Sequence, residues 1–170
     1  MYLEFLLKLE SGGWGTHLAR LKRGSKIEVD GPMGTFVFPR HPDEREFLFV
    51  AGGTGIAPLR SMIAHASITQ QRGRLHLLYS ARTPLDFAYL PELKRYAKEG
   101  KFDLLLTATR EVPQRWRGDR GRITSAHLAR LLRTPETLCF VCGPAAMVDD
   151  VPRMLVELGV DGERIRIEEW

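Results

Sequence analysis

A glycine-rich segment joins an apolar run to a helical pattern at residues 49–58, which read Phe-Val-Ala-Gly-Gly-Thr-Gly-Ile-Ala-Pro. Glycines in such a turn let backbone N–H groups approach a pyrophosphate, and the N-terminus of the following helix adds a partial positive charge. The segment is not a P-loop, because no Gly-Lys-Ser/Thr follows, and Pro58 stands where the usual G-x-G-x-x-G motif has its third glycine. We expect a dinucleotide phosphate as the occupant, and a tight turn without a ligand is the alternative.

The next two apolar runs both lead into a hydroxyl residue and an arginine. Ser80 and Arg82 follow the first run, and Thr109 and Arg110 follow the second. At the first of these positions, domains that bind NAD normally offer an Asp or Glu to the ribose 2′-hydroxyl. A guanidinium better suits a 2′-phosphate, because it can donate to two phosphate oxygens at once. The pattern therefore favours a phosphorylated ribose. Solvated loop charges are the alternative, and both NADP(H) and NAD(H) stay open.

A third candidate segment, Cys142-Gly143-Pro144-Ala145-Ala146-Met147, follows the fourth apolar run. Open α/β sheets bind ligands at the carboxyl ends of their strands, so we expect Cys142 to face the crevice. Cys139 lies three residues earlier on an extended strand, so the two side chains point to opposite faces and form neither a C-x-x-C redox pair nor a metal site. A small buried thiol is the expectation for Cys139 and the alternative for Cys142.

Two kinds of strand pattern divide the chain. Alternating apolar and polar residues at 3–10 and 26–30 indicate half-buried antiparallel strands, with a glycine-rich turn and a short helix between them that stops at Gly24. Solid apolar runs at 47–51, 75–79, 102–106 and 138–142 alternate with helical stretches, as in a parallel sheet covered on both faces. We predict a doubly wound α/β domain over residues 47–170, ending in an edge strand at 164–168 and preceded by a linker at 40–46.

The helix after the glycine turn has the clearest apolar spacing. Leu59, Met62, Ile63 and Ala66 fall at i, i+3, i+4 and i+7, which is the face of a helix that packs on a sheet. Pro58 is predicted at the first helical position, where its missing N–H costs nothing.

Composition and charge narrow the classes of protein. Of the 170 residues, 44% are hydrophobic and 27% charged, which is the balance of a globular domain and excludes a disordered or collagen-like chain. Every apolar run is far shorter than the roughly 20 residues of a membrane span, and the N-terminus does not read as an export signal, so we expect no membrane span and a cytoplasmic location. Two cysteines fit a reducing compartment. The net charge of +4 suits anionic small molecules or an acidic partner protein.

Five motifs occur in an order that resembles the ferredoxin-NADP reductase superfamily. They are Gly31-Pro32-Met33-Gly34-Thr35-Phe36, residues 52–58, residues 116–123, Cys142-Gly143-Pro144 and the terminal Glu168-Glu169-Trp170. The resemblance spans essentially the whole chain. It implies hydride transfer between NAD(P)H and FAD, with FAD on an N-terminal antiparallel barrel and the pyridine nucleotide on a C-terminal α/β domain. Residues 1–39 then resemble the C-terminal part of the FAD-binding barrel, and residues 47–170 resemble the NAD(P)-binding domain.

The resemblance also implies roles for individual residues. Cys142 matches a cysteine beside the nicotinamide C4, Glu168 a carboxylate near the reacting rings, and Trp170 a terminal aromatic that stacks on the isoalloxazine. The nucleotide pyrophosphate would be held by Gly52, Gly53, Thr54, Gly55, Ile56, Ala57 and Pro58. The adenosine ribose would be surrounded by Ser80, Arg82, Thr109 and Arg110. Further cofactor contacts are expected from Gly143, Pro144 and Met147, and the FAD pyrophosphate would lie against Gly13 and Thr16. No metal ligands are predicted.

One departure from the family concerns the flavin. Its main flavin motif, Arg-x-Tyr/Phe-Ser/Thr, has no counterpart ahead of residues 3–10. We therefore expect that the chain is a fragment, that a partner protein completes the barrel, or that residues 1–39 serve another purpose.

The sequence supports two functions. The first is a reductase module that passes hydride between NAD(P)H and FAD, with electrons leaving for an acceptor; the alternative is an NAD(P)-binding subunit or sensor without flavin or catalysis of its own. Nucleic-acid binding through the arginine-rich residues 115–122 is disfavoured, because the family resemblance and Asp119 account better for that segment. Hydrolase chemistry has no support, since there is no G-x-S-x-G motif and the five histidines are scattered, most of them expected on the surface.

Overall fold

The computed structural model describes residues 3–8, 13–31, 33–69 and 73–169. The chain divides into two compact units, Met1–Thr35 and Phe36–Trp170. The helix α1 (Gly13–Leu18) lies in the first unit, on residues that were predicted to form the glycine-rich turn, and it ends at Leu18 and not at Gly24 as predicted. Gly24 follows in a turn with a φ of 90°, a left-handed conformation that glycine adopts without strain.

The strands predicted at 3–10 and 26–30 are not formed in the described residues 3–8 and 26–30. An antiparallel strand keeps its ladder only when a neighbouring strand pairs with its backbone, and the described part of this unit contains no strand. The apolar half of the alternating pattern is correspondingly exposed at Leu3, Phe5, Leu7, Ile27 and Val29. Leu9, Glu10, Gly12 and Pro32 lie outside the described residues. The partial barrel remains a prediction.

A single parallel sheet organises the second unit. Its strands are β1 (Glu46–Gly52), β2 (Arg74–Ala81), β3 (Asp103–Ala108), β4 (Asp119–Arg120), β5 (Leu138–Gly143) and β6 (Ile165–Glu169). Their order across the sheet is β4-β3-β2-β1-β5-β6. The four buried runs and the edge position of the last strand are therefore confirmed. The sequence pattern missed β4, which has two residues, both polar.

Among the described residues of this unit, four α-helices lie between the strands: α2 (Ile56–Ile68), α3 (Leu90–Lys98), α4 (Ser125–Leu131) and α5 (Ala145–Glu157). The predicted apolar face of α2 is buried, as are Leu93 on α3 and Val151 on α5. Pro58 is the third residue of α2 and not the first, because the helix begins at Ile56, directly after a 3₁₀ turn at Gly53–Gly55. The first four N–H groups of a helix have no partner within it, so the proline still removes no hydrogen bond. None of the helices in the described parts of the chain combines the length and apolar character that crossing a membrane requires.

An aromatic cluster joins the start of the second unit to its sheet. Phe38 is 8% exposed, and its ring centroid lies 5.0 Å from that of Phe47 and 5.9 Å from that of Phe140. Phe36 meets Phe140 edge-on at 6.0 Å. These contacts explain why the compact unit begins at Phe36, within the segment that was predicted to belong to the barrel. The linker at residues 40–46 stays a prediction.

A buried histidine lies near the amino ends of three neighbouring strands. His76 on β2 is 1% exposed, in contrast to the exposed His17, His41 and His65. Its Nε2 lies 2.8 Å from Glu46 Oε2 on β1, and its Nδ1 lies 3.0 Å from Asp103 Oδ2 on β3. The ring therefore links these three strands at their amino ends, on the side of the sheet opposite to the glycine turn.

Candidate functional site

The glycine turn packs closely against the turn that follows β5. A Cβ on Gly52 would lie 2.9 Å from Met147 Sδ and from Pro144 Cδ, and a Cβ on Gly55 would lie 2.3 Å from the Cys142 carbonyl oxygen. Both distances are too short for a side chain. The contact at Gly55 is with backbone, so close packing of the two strand ends requires glycine there whether or not a ligand binds, whereas the contacts at Gly52 are with side chains.

This turn lies where the order of the sheet reverses. From β1 the chain crosses through α2 to β2 on one side, while β5 pairs with β1 on the other. Open α/β sheets bind ligands in the crevice outside such a point. The first turn of α2, which is described throughout, carries no acidic residue, and its N-cap residue is Gly55, so no side chain caps its N–H groups. The Ile56 N–H already donates to the Thr54 carbonyl and Pro58 has no N–H, so the remaining N–H groups of this turn can donate to an anion.

Hydrogen bonds hold the loops after β2 and β3 side by side. The N–H of Thr109 donates to the Ala81 carbonyl at 3.0 Å, and the N–H of Arg110 donates to the Arg82 carbonyl at 2.8 Å. Arg82, Thr109 and Arg110 are exposed at this edge, whereas Ser80, in the last part of β2, is buried. The structure thus brings the four residues assigned to the ribose to one edge of the sheet.

Cys142 and Glu168 lie opposite each other on β5 and β6. The Cys142 Sγ is 3.9 Å from Glu168 Oε2, and Cys142 is 2% exposed. Burial, together with the adjacent Glu168 carboxylate, raises the pKa of the Cys142 thiol to about 12. At neutral pH it is therefore a neutral thiol that donates toward the carboxylate, and not a thiolate nucleophile.

Cys139 is fully buried in the apolar core with Val141 and Leu155, as expected. Burial raises the pKa of its thiol to about 12. Both cysteines are free.

The remaining predicted residues are distributed as follows. Gly143 and Met147 adjoin the glycine turn, since a Cβ on Gly143 would lie 2.3 Å from Met147 Cε. Gly13 begins α1 and Thr16 is exposed within it, both in the first unit. Trp170 lies outside the described residues.

The sequence pattern predicts Tyr79 only as part of a buried run and does not indicate its contact with the glycine turn. Tyr79 is fully buried on β2, and its hydroxyl donates to the Gly53 carbonyl at 2.9 Å and accepts from the Ala88 N–H at 3.1 Å. Its ring meets Phe87 edge-on at 4.9 Å, and Phe87 stacks on Trp116 at 5.4 Å. A buried tyrosine hydroxyl needs a hydrogen-bond partner, so a tyrosine within an apolar run is the sequence feature that could have indicated this contact.

Comparisons with known proteins agree with this geometry. The family model described as "Oxidoreductase NAD-binding domain" matches residues 49–153. NADH-cytochrome b5 reductase 1 of Lodderomyces elongisporus is 32% identical over 166 residues, covering 94% of this chain and 55% of that protein. Ferredoxin--NADP reductase B of Sorangium cellulosum is 32% identical over 173 residues, covering 96% of this chain and 69% of that protein.

Solved structures agree as well. The cytochrome b5 reductase domain of Ulva prolifera nitrate reductase superposes with a TM-score of 0.83 at 26% identity, covering 94% of this chain and 66% of that one. The chain belongs to the oxidoreductase NAD-binding domain family, within the ferredoxin-NADP reductase superfamily. It spans about half the length of the first curated relatives, with shares of 55% and 41%.

Proposed function

We propose that this chain is the NAD(P)H-binding part of a flavin-dependent reductase, which passes hydride between NAD(P)H and FAD for transfer to an acceptor. The names of its relatives support this reaction class, since they include NADH-cytochrome b5 and ferredoxin-NADP reductases. The observation that carries the proposal is the convergence at one sheet edge of an uncapped helix N-terminus, two exposed arginines and a buried thiol beside a carboxylate.

Each feature fits one part of a pyridine nucleotide. The N–H groups at the start of α2 suit the pyrophosphate, because they are not capped by a side chain. Arg82 and Arg110 suit a ribose 2′-phosphate, which makes NADP(H) the favoured nucleotide. Cys142 and Glu168 would line the nicotinamide, where the neutral thiol adds no charge next to the ring that carries the hydride. Positioning is the main task of these residues.

FAD would supply the hydride acceptor when bound. The residues of this chain that would contact its pyrophosphate are Gly13 and Thr16, on α1 in the first unit. Trp170 is proposed to stack on the isoalloxazine. We propose that additional barrel strands, from a longer form of the chain or from a partner protein, complete the flavin site. An acidic acceptor protein suits the net charge of +4, and two free cysteines suit a cytoplasmic location.

The second candidate is an NAD(P)-binding subunit or sensor with no flavin of its own. It is favoured by one observation, that residues 3–8, 13–31 and 33–35 contain no strand that could form part of a barrel.

Calorimetry and spectroscopy separate the candidates. We expect the purified chain to bind NADPH, and to bind ADP-ribose as well, because that ligand keeps the pyrophosphate. Titration with FAD, followed by the visible flavin spectrum and by NADPH-dependent reduction of ferricyanide, tests the reductase. Nucleotide binding with no flavin uptake, with or without added N-terminal barrel strands of a relative, selects the second candidate. No binding of any pyridine nucleotide contradicts both.

A further inference from the structure

One buried hydroxyl connects two loops of the proposed nucleotide site. The Tyr79 Oη lies 2.9 Å from the Gly53 carbonyl oxygen in the glycine turn and 3.1 Å from the Ala88 nitrogen in the loop after β2. Gly53 and Ala88 are 35 positions apart in the sequence, yet a backbone polar group of each forms a hydrogen bond with the same side-chain atom.

We propose that Tyr79 is a positioning residue that sets the direction of the glycine-turn amides and couples that turn to the ribose loop. This inference rests on the proposed nucleotide-binding function and assigns to it a residue that does not touch the nucleotide itself.

The peptide that follows Gly53 explains how the hydroxyl acts. A trans peptide is planar, and its C=O and N–H point in opposite directions. When Tyr79 holds the Gly53 carbonyl, the Thr54 N–H of the same peptide points away from Tyr79. Gly53 itself has a φ of 54°, so the backbone here adopts a left-handed conformation that local sequence does not enforce. The hydrogen bond from Tyr79 removes this freedom.

The loop between β2 and α3 forms contacts with neighbouring elements at both of its ends. Ala88 donates to Tyr79, and the next residue, Tyr89, has a φ of 57°, which is rare for a residue other than glycine. The Arg60 guanidinium lies 4.2 Å from the centroid of the Tyr89 ring. At the other end of the loop, Arg82 accepts the hydrogen bond from Arg110. The same short loop thus contacts Tyr79 at Ala88 and begins at Arg82, a proposed phosphate ligand, which is the basis of the proposed coupling.

The hydroxyl remains a donor over the working pH range. Burial, with a smaller contribution from the Asp86 charge, raises the pKa of Tyr79 to about 12. The ring is held independently by its edge-on contact with Phe87. Replacement by phenylalanine therefore removes the hydrogen bonds and keeps the packing.

The test compares Tyr79→Phe with Tyr96→Phe by calorimetry on the whole chain, using NADPH, NADH and ADP-ribose. Tyr96 lies on α3 with its ring beside Arg95, so its variant removes a hydroxyl from the same domain outside the proposed site. We expect the Kd of all three ligands to rise about tenfold in Tyr79→Phe, because without the hydrogen bond to the Gly53 carbonyl the glycine-turn amides are no longer held in one direction, and to stay unchanged in Tyr96→Phe. A common loss is expected because the pyrophosphate is present in all three ligands.

The outcomes are distinct. If the natural chain binds none of the three ligands, the proposed function fails and the inference fails with it. If the natural chain binds and Tyr79→Phe binds equally well, with only a lower melting temperature, Tyr79 is merely structural and the inference alone is overturned. Hydrogen exchange of the natural chain gives a check that needs no variant: ADP-ribose should slow exchange of the Ala88 amide, and an unchanged rate contradicts the coupling.

Discussion

Arg60 on α2 donates two hydrogen bonds to Glu92 on α3, from Nε to Oε1 at 2.8 Å and from Nη2 to Oε2 at 2.9 Å. Both side chains are 28% exposed, and the same guanidinium lies over the Tyr89 ring. The paired geometry fixes the start of α3 against the helix that carries the glycine turn at its N-terminus. The pair therefore stabilises the loop between β2 and α3 as well as the two helices.

We expect the contribution of the Arg60–Glu92 pair to the free energy of unfolding to be lost at low pH. The hydrogen bonds from Arg60 hold the pKa of Glu92 below its ordinary value of 4.5. A carboxyl group with a lowered pKa stabilises the folded state above its unfolded pKa, and that contribution is lost as pH falls through the folded pKa. We expect Glu92→Gln to lower the free energy of unfolding at pH 7 by about 1 kcal/mol, with the difference from the natural chain shrinking below pH 4.5.

Urea unfolding at pH 7, 5 and 3 measures this difference. Glu99→Gln is the matched control, because Glu99, at the end of the same helix, forms an exposed contact with Arg95 at 4.0 Å. A Glu92→Gln difference that stays constant with pH would contradict the assignment.

Close packing at the glycine turn makes a second prediction. A Cβ on Gly55 would lie 2.3 Å from the Cys142 carbonyl oxygen, which is backbone and cannot rotate away. We expect Gly55→Ala to destabilise the folded state by about 1–3 kcal/mol, as overpacking does. Gly162→Ala is the control, since its Cβ would meet nothing within 4 Å. Equal melting temperatures for the two variants would show that the strand ends do not pack this closely.

Because the two thiols are buried, we expect the free energy of unfolding to fall at alkaline pH. The pKa values of Cys139 and Cys142 are raised from 9.0 to about 12, so the folded chain keeps protons that the unfolded chain releases. Stability is then full below about pH 9 and falls as pH rises toward 12. The slope of unfolding free energy against pH should become shallower in Cys142→Ala and equally so in Cys139→Ala. An unchanged slope in Cys142→Ala alone would place that thiol in contact with solvent.

The sequence predicts the α/β unit well because its signals are local. A strand buried on both faces must be apolar throughout, and β1 and β5 are buried along their whole length. The glycine turn follows from the need of a strand to enter a helix, and the alternating pattern of β6 follows from its position at the edge. Each of these features depends on residues within about ten positions of one another.

The features that the sequence does not predict depend on distant partners. The bond from Tyr79 to Gly53 joins residues 26 positions apart and exists because Tyr79 pairs with Ala51 in the register of β1 and β2. The buried position of His76 likewise depends on Glu46 and Asp103 from the neighbouring strands. Strand alternation at residues 3–8 is a local signal, but a strand forms only when a second strand pairs with it.

Arg82 and Arg110 give the sharpest test of nucleotide choice. Their backbones are joined at 2.8 Å, and both side chains are exposed at the edge where the ribose is proposed to bind. We expect Arg82→Ala and Arg110→Ala each to weaken NADPH binding by about 1.5–3 kcal/mol, the range for hydrogen bonds to charged groups, and to leave NADH binding unchanged, because NADH lacks the 2′-phosphate.

Calorimetry with both nucleotides at one fixed salt concentration measures these losses, since binding of a phosphate depends on ionic strength. Arg133→Ala is the matched control: it removes the same charge next to Asp103, at the amino end of β3 and thus at the opposite edge of the sheet. Its NADPH affinity should equal that of the natural chain. Equal losses for NADPH and NADH in Arg82→Ala and Arg110→Ala would mean that the arginines contact the pyrophosphate or the adenine, and the preference for NADP(H) would then have no physical basis in this loop pair.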